Sequence, residues 1–208
     1  CLLSRGLGDV YKRQIYASLA RLHMKTFGTT QRQLAAVAAK NHMHSTRNSL
    51  AQFQYPLTIE EALAARPVSW PLTLPMCAPI SDGAAAAIVC NAQGLKRLRE
   101  ARAVRLYASV LRTATDRPAD RYDRHLCHLA ALEAYERAGV GPQDMSLAEV
   151  HDATAFAEIQ QTEALGFCAF GEGGPMAESG ATSLGGRIPI NVSGCLLYTS
   201  PSPRDKRQ

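Results

Sequence analysis

The amino-acid sequence predicts an α/β fold, and three observations carry that expectation. A short apolar run, residues 147–150, breaks off at His151-Asp152 with a helical pattern directly behind it. Extended patterns at 84–90 and 104–111 are interleaved with helical ones, and a last extended stretch, 188–192, follows a glycine-rich connection. A strand that turns straight into a helix puts its junction residue at the carboxyl edge of a sheet, where open α/β folds keep their ligands. A histidine there can donate, accept or titrate near neutral pH. The competing reading of His151 is a satisfied structural histidine.

Composition narrows the classes. The 208 residues are long enough for one large domain or two small ones, with 46% hydrophobic and 20% charged residues, as in ordinary globular proteins. No apolar run approaches the roughly 20 residues that span a bilayer. The six cysteines contain no Cys-x-x-Cys pair, so free or buried thiols in a reducing compartment, the cytoplasm, are expected rather than a disulfide framework or zinc site. Of the net charge of +5, two units sit in each of the terminal segments 1–14 and 195–208, leaving an interior close to neutral and no nucleic-acid footprint. Those two segments are equal in length, open with Cys-Leu-Leu and close with Lys-Arg-Gln. Such a repeat at both ends resembles a translated sequencing adaptor, so residues 1–14 and 195–208 are expected to be foreign to the domain.

Taken in order, residues 15–24 have helical spacing, with Ile15, Leu19 and Leu22 on one face. Thr30 and Gln33 can form a capping box for a helix whose Leu34, Val37 and Ala38 make an apolar stripe. That helix runs towards His42-x-His44. On a helix these point to different sides, so a polar or interface-lining stretch is expected there and not a metal site. Thr58 and Glu61 offer a second capping box, for a helix 60–66 that stops before Pro67. Residues 68–80, with Leu72, Leu74 and Met76 alternating, read as a strand or extended connection. Cys77 within it reads as a buried thiol, since no histidine base is near it in sequence. Asp82-Gly83 turns the chain into the alanine-rich extended run 84–90; it lacks the glycines and lysine of a phosphate loop. A basic helix is expected from 94 to 105, as a solvated face or a contact for phosphates.

Residues 122–138 are helical, with Leu126, Leu129, Ala130, Leu132, Ala134 and Tyr135 on a broad apolar face. His125 and His128 share a side, but no acidic or cysteine partner at a matching spacing supports a metal. Gly139 should stop this helix, and Pro142-Gln143-Asp144 should turn the chain into the strand that ends at His151. The helix behind His151 should bury Phe156 and Ile159. The glycine-rich stretch 167–186 reads as a functional or connecting loop.

Several of these motifs together resemble one family. Lys40-Asn41-His42-x-His44-Ser45, Ser81-Asp82-Gly83 with its alanines, and Val150-His151-Asp152 leading to Glu163-Ala164-Leu165-Gly166 are similar to motifs of sterol-carrier-protein (lipid-transfer-protein) type thiolases. The resemblance implies a thiolase fold, five αβαβα layers in two similar halves. Residues 15–93 would be the end of the first half and 94–194 the beginning of the second. It implies an acyl-CoA C-acyltransferase acting in thiolysis or Claisen condensation in lipid or sterol metabolism, in which a cysteine takes the acyl group and an oxyanion hole stabilises a thioester enolate. His151 and Asp152 match the first two positions of the family's His-Asp-Cys-Phe motif, whereas Ala153 and Thr154 depart from the other two. By that match His151 is the catalytic candidate and Asp152 the substrate-binding one.

The resemblance also implies coenzyme A as a substrate with no bound cofactor or metal, and a homodimer or hetero-oligomer at full length. The family's nucleophilic cysteine would precede Ile15, and its Gly-His-Pro and Cys-x-Gly motifs would follow Gly194. The sequence as written is therefore expected to be inactive by itself. A thiolase-like retro-aldolase of steroid side-chain CoA esters, or a non-catalytic lipid-transfer or scaffold protein, are the alternatives.

Overall fold

Helix α2 (Gln31–Ser45) is the element on which the others are laid. The computed structural model describes residues 2–79, 84–98, 103–114 and 116–194, with side chains from residue 13 onward. The expected capping box starts α2: the Thr30 side chain accepts from the Gln33 amide at 3.3 Å and Gln33 answers the Thr30 amide at 3.0 Å. Its predicted stripe of Leu34, Val37 and Ala38 is buried, and so are Ala35, Ala36, Lys40, Asn41, His42 and His44. A helix buried on nearly every side is a central one.

Helix α1 (Leu2–Phe27) packs its small residues inward. Among the side chains described in it, Ala17, Ala20 and His23 are the buried ones, and Ile15, expected on the buried face, is 42% exposed. Alanines at three-residue spacing let the backbones approach closely, which a stripe of Ile and Leu would prevent. Helix α3 (Ile59–Ala64) carries the second predicted capping box, complete between Thr58 and Glu61, and ends two residues before the predicted stop. Strands β1 (Pro67–Ser69) and β2 (Leu72–Thr73) form an antiparallel hairpin. The expected alternation fails at Leu74: a 3₁₀ turn over Leu74–Met76 turns it outward, 44% exposed, while Leu72 and Met76 stay buried.

Two expected strands are not formed among the described residues. Residues 84–90 and 104–111 carry no regular structure and no ladder partners, and Ile88, Val89, Val104 and Leu111 are 80–94% exposed. A strand exists only by its hydrogen-bonded neighbour, and none lies beside them among the described residues. The basic helix expected at 94–105 shrinks to α4 (Ala92–Leu95); residues 99–102 lie outside the described ones, as do Asp82 and Gly83. Helix α5 (Leu126–Ala138) is preceded by a separate 3₁₀ turn, and Gly139 ends it with φ 68° as expected. Its burial is narrower than the pattern suggested: Ala131 is the buried residue and Leu132 is 53% exposed.

The strand expected to end at His151 is a single parallel bridge, Ala148 to Ile190, and the last strand 188–192 is reduced to the same bridge. Helix α6 (Ala155–Ala164) starts four residues after His151 rather than at once, because Thr154 first pairs with Cys77 and then caps the helix. The glycine-rich stretch contains a further helix, α7 (Gly173–Glu178). A side chain at Gly173 would meet the Ile159 carbonyl at 2.9 Å, so only glycine lets α7 come this close to α6. The main core lies between α1, α2, α3, α6 and the 72–77 segment, centred on Phe156, Leu34 and Ile159. A second cluster joins Val150, Ile188 and Ile190 to Phe167 and Met176.

Two stability outcomes follow. Phe156 is 0% exposed, so Phe156→Ala should lower the unfolding free energy by about 3–5 kcal/mol. Leu132→Ala should change it by no more than about 0.5 kcal/mol. Denaturant midpoints distinguish the two. His125 caps α5 by accepting the Cys127 amide at 3.2 Å through Nδ1, a role only the neutral ring can fill. Burial, with smaller contributions from Arg117 and His128, pushes its pKa down from 6.5 to about 4. The folded state therefore resists a proton that the unfolded state accepts. The resulting stability is present above pH 6.5 and is lost as the pH falls towards 4. His125→Asn keeps a capping oxygen and should flatten the fall in unfolding free energy across that window; an unchanged slope would contradict the assignment.

Candidate functional site

The residues around His151 converge from four parts of the chain. α2 supplies Lys40 and Asn41, α6 supplies Glu158, the 148–154 corner supplies His151 and Asp152, and the returning segment supplies Asn191. The α2 residues lie more than one hundred positions from their partners, 111 from Asn41 to Asp152 and 150 from Lys40 to Ile190.

Glu158 lies at the centre, 1% exposed. Its Oε1 pairs with Lys40 Nζ at 2.6 Å, and the ammonium also donates to the Ile190 carbonyl at 2.7 Å. Its Oε2 accepts from Asn41 Nδ2 at 2.8 Å and from Asn191 Nδ2 at 3.0 Å. A buried ion pair is tolerated when further hydrogen bonds satisfy its remaining valences, and here both carboxylate oxygens are used. The second hydrogen of Asn41 Nδ2 goes to Asp152 Oδ2 at 3.0 Å. Facing two acceptor-only carboxylates, this atom has to be the amide nitrogen.

Asn191 grips the other side of the corner. Its Oδ1 accepts the Val150 amide at 2.8 Å, and its own amide donates to the Ala148 carbonyl at 2.8 Å. It does so at φ 54°, a left-handed conformation that asparagine tolerates better than most residues. Its carbonyl accepts from His44 Nδ1 at 2.9 Å, and His44 Nε2 accepts the Leu184 amide at 3.1 Å. His44 is thus a neutral ring with both nitrogens committed, and burial, its largest influence, lowers its pKa accordingly. The His-x-His pair is divided as helical geometry requires. His42 turns to the opposite side, where its ring lies 5.1 Å from Tyr55 and burial again lowers its pKa.

The two predicted site residues are separated by the corner. His151 is exposed, and its ring makes no hydrogen bond with the described residues. Asp152 is 6% exposed and lines a pocket with Asn41, His42 and Cys77. That pocket offers about 20 Å³, room for one water molecule and no more. Cys77 is 5% exposed, and burial pushes its thiol up to about 11, which agrees with a buried thiol and not a nucleophile. His128, read from sequence as half of a possible pair with His125, sits 2.9 Å from the Ala164 carbonyl and fastens α5 to α6. Among the described residues no group of three His, Cys, Asp or Glu is placed to hold a metal ion.

Sequence reasoning missed Glu158 and His23. His23 is 0% exposed, with Nε2 3.0 Å from Glu163 Oε2 and Nδ1 2.7 Å from Thr29 Oγ1; Glu163 Oε1 accepts the Gly173 amide at 3.0 Å. This second buried polar cluster ties α1, α6 and α7 together. The available signal was charge on an apolar helix face: Lys40 follows an alanine run and Glu158 lies between Phe156 and Ile159.

Comparisons with known proteins find relatives along most of the chain. Residues 115–202 match the thiolase C-terminal domain-like family. The chain is 36% identical over 184 residues to the benzoylsuccinyl-CoA thiolase subunit BbsB of Thauera aromatica. It is 40% identical over 185 residues to an acetyl-CoA acetyltransferase of Methanothermobacter thermautotrophicus, and 36% identical over 193 residues to sterol carrier protein 2 of Rattus norvegicus. Each alignment covers 88% of this chain, which spans 48%, 48% and 35% of those relatives. The solved structure of an Ltp2-ChsH2(DUF35) aldolase superposes with a TM-score of 0.72 at 25% identity, covering 87% of this chain and 49% of the other. Among the described residues no helix is long and apolar enough to cross a membrane. With an α/β thiolase-type fold and relatives of this kind along 88% of its length, the chain belongs to the thiolase superfamily.

Proposed function

We propose that this chain is part of an acyl-CoA C-acyltransferase that performs thiolysis or Claisen condensation on acyl-CoA thioesters. The observation that carries the reading is the exposed His151 ring, held between two buried residues at a strand-to-helix corner, in a chain related to an acetyl-CoA acetyltransferase and a CoA thiolase subunit. In this reaction the thioester oxygen gains negative charge as the enolate forms. A donor already fixed at that position stabilises the charge without having to reorganise. His151 is the donor in this reading, with coenzyme A a substrate rather than a resident cofactor. Asp152 belongs to the proposal as the carboxylate lining the adjacent small pocket. The acyl-accepting cysteine is sought outside Cys77, whose raised pKa disqualifies it, and outside Cys168, which burial pushes up to about 12. A cytoplasmic enzyme assembled as a homodimer or hetero-oligomer fits the reading. The free thiols of Cys77, Cys90, Cys127 and Cys168 support such a reducing compartment.

A second reading has its own observation. The superposition on the aldolase structure favours retro-aldol cleavage of a CoA ester, in which the same enolate is generated by breaking a carbon–carbon bond. The lipid-transfer alternative draws on the name of sterol carrier protein 2, of which the chain covers 35%.

In the full-length enzyme, His151→Ala should lower turnover about 10²–10³-fold, the usual cost of losing one oxyanion donor, with CoA affinity little changed. Steady-state kinetics and CoA titration measure both, and an unchanged rate removes His151 from the reaction. Release of free CoA from acyl-CoA and acetyl-CoA identifies the acyltransferase; release of a carbonyl product from a hydroxyacyl-CoA identifies the lyase.

A further inference from the structure

The buried carboxylate of Glu158 faces no solvent, yet both of its oxygens are held by side chains from other parts of the chain. Lys40 saturates one of its oxygens. The other receives two asparagine amides, Asn41 and Asn191. Those asparagines then reach the chain on either side of His151. Asn191 Oδ1 accepts the amide of Val150, one residue before it, and Asn41 Nδ2 donates to the carboxylate of Asp152, one residue after. His151 itself is left exposed. A single buried atom, Glu158 Oε2, thus holds both flanks of one exposed imidazole through two side chains.

The cost of the arrangement argues that it has a task beyond packing. The Glu158 carboxylate and the Lys40 ammonium are buried together; apolar side chains of similar volume would stabilise the core at least as well. Asn191 moreover adopts a positive φ, which asparagine tolerates but glycine would adopt more readily; its side chain is what the position uses. Sites that must hold a reacting group to within about 0.5 Å lock it from behind with hydrogen bonds of this kind.

We propose that Asn41 and Asn191, anchored jointly on Glu158, are positioning residues that fix the His151 imidazole. The proposal rests on the reading of His151 as the oxyanion donor. It adds the device that orients the ring.

The experiment uses the 208-residue chain in Asn41→Ala and Asn191→Gly forms. Alanine is favourable in α2, and glycine accepts the positive φ, so both remove the grip while sparing the backbone. NMR relaxation reads the backbone order parameter at His151, with Ala131 in α5 as the control. His151 should fall from about 0.85 to below about 0.6 in both variants while Ala131 stays unchanged. The same variants of the full-length enzyme should lose up to about 10²-fold in kcat with KM nearly constant, the signature of a misplaced group.

An ordered His151 in both variants overturns the proposal, and so does a His151 already mobile in the parent chain. If Asn191→Gly loses its fold, Asn191→Asp keeps the acceptor for Val150 and removes the donor to Glu158, and His151 should still loosen. Loss of fold in all three variants also overturns it, because the asparagines would then be general core supports. A silent His151→Ala enzyme alongside a loosened His151 removes the oxyanion reading and leaves the clamp. The reverse pattern removes the clamp alone.

Discussion

The hydrogen bonds to Glu158 Oε2 are the constraint on which the rest of the site depends. They are what bring α2, α6 and the 188–194 return to one place, since the apolar contacts of these elements specify proximity but not register. A hydrophobic face can slide by a fraction of a turn at little cost, whereas a carboxylate accepting two asparagine amides and pairing with Lys40 cannot. Breaking such a cluster by removing one partner strands a buried charge and typically costs about 3–5 kcal/mol. The corner at His151 inherits this rigidity although, among the described residues, it carries only two isolated backbone bridges, Ala148 to Ile190 and Thr154 to Cys77.

The histidines packed into the fold show the same economy. His44 uses one nitrogen as donor and the other as acceptor, His125 uses one as a helix cap, and His23 stands between Thr29 and Glu163. His151 is the histidine the fold leaves uncommitted, at the place where the chain changes from extended to helical. An imidazole without structural duties at such a corner is free to serve an incoming thioester, which is why the catalytic reading attaches to it and not to the His-x-His pair.

Local chemistry was legible in the sequence. Both capping boxes, the αL stop at Gly139 and the apolar stripe of α2 appear as read, because each depends on residues within one or two turns of helix. The thiolase resemblance was legible too, because motifs survive as short strings. Non-local features were not. The distant partners of Lys40, Asn41 and His23 lie 111 to 150 residues away, and no periodicity reports a pairing at that range. The strand readings at 84–90 and 104–111 failed for a related reason. Their residues have strand character, but a strand is defined by its neighbour, and this chain spans about half the length of the thiolases it matches. Ile15 and Leu74 were misplaced because small residues and a 3₁₀ turn took the buried positions that hydrophobicity alone assigns to larger ones.

The most direct test of the central claim is native-state hydrogen exchange at the Val150 amide, which donates to Asn191 Oδ1 rather than to a strand. If the Glu158 cluster holds the corner, this amide should open only with global unfolding, with the same opening free energy as the amide of Val37 in the middle of α2. Exchange at Val150 through local opening, at a free energy near that of surface loops, would mean that the corner is loose and that His151 is not held.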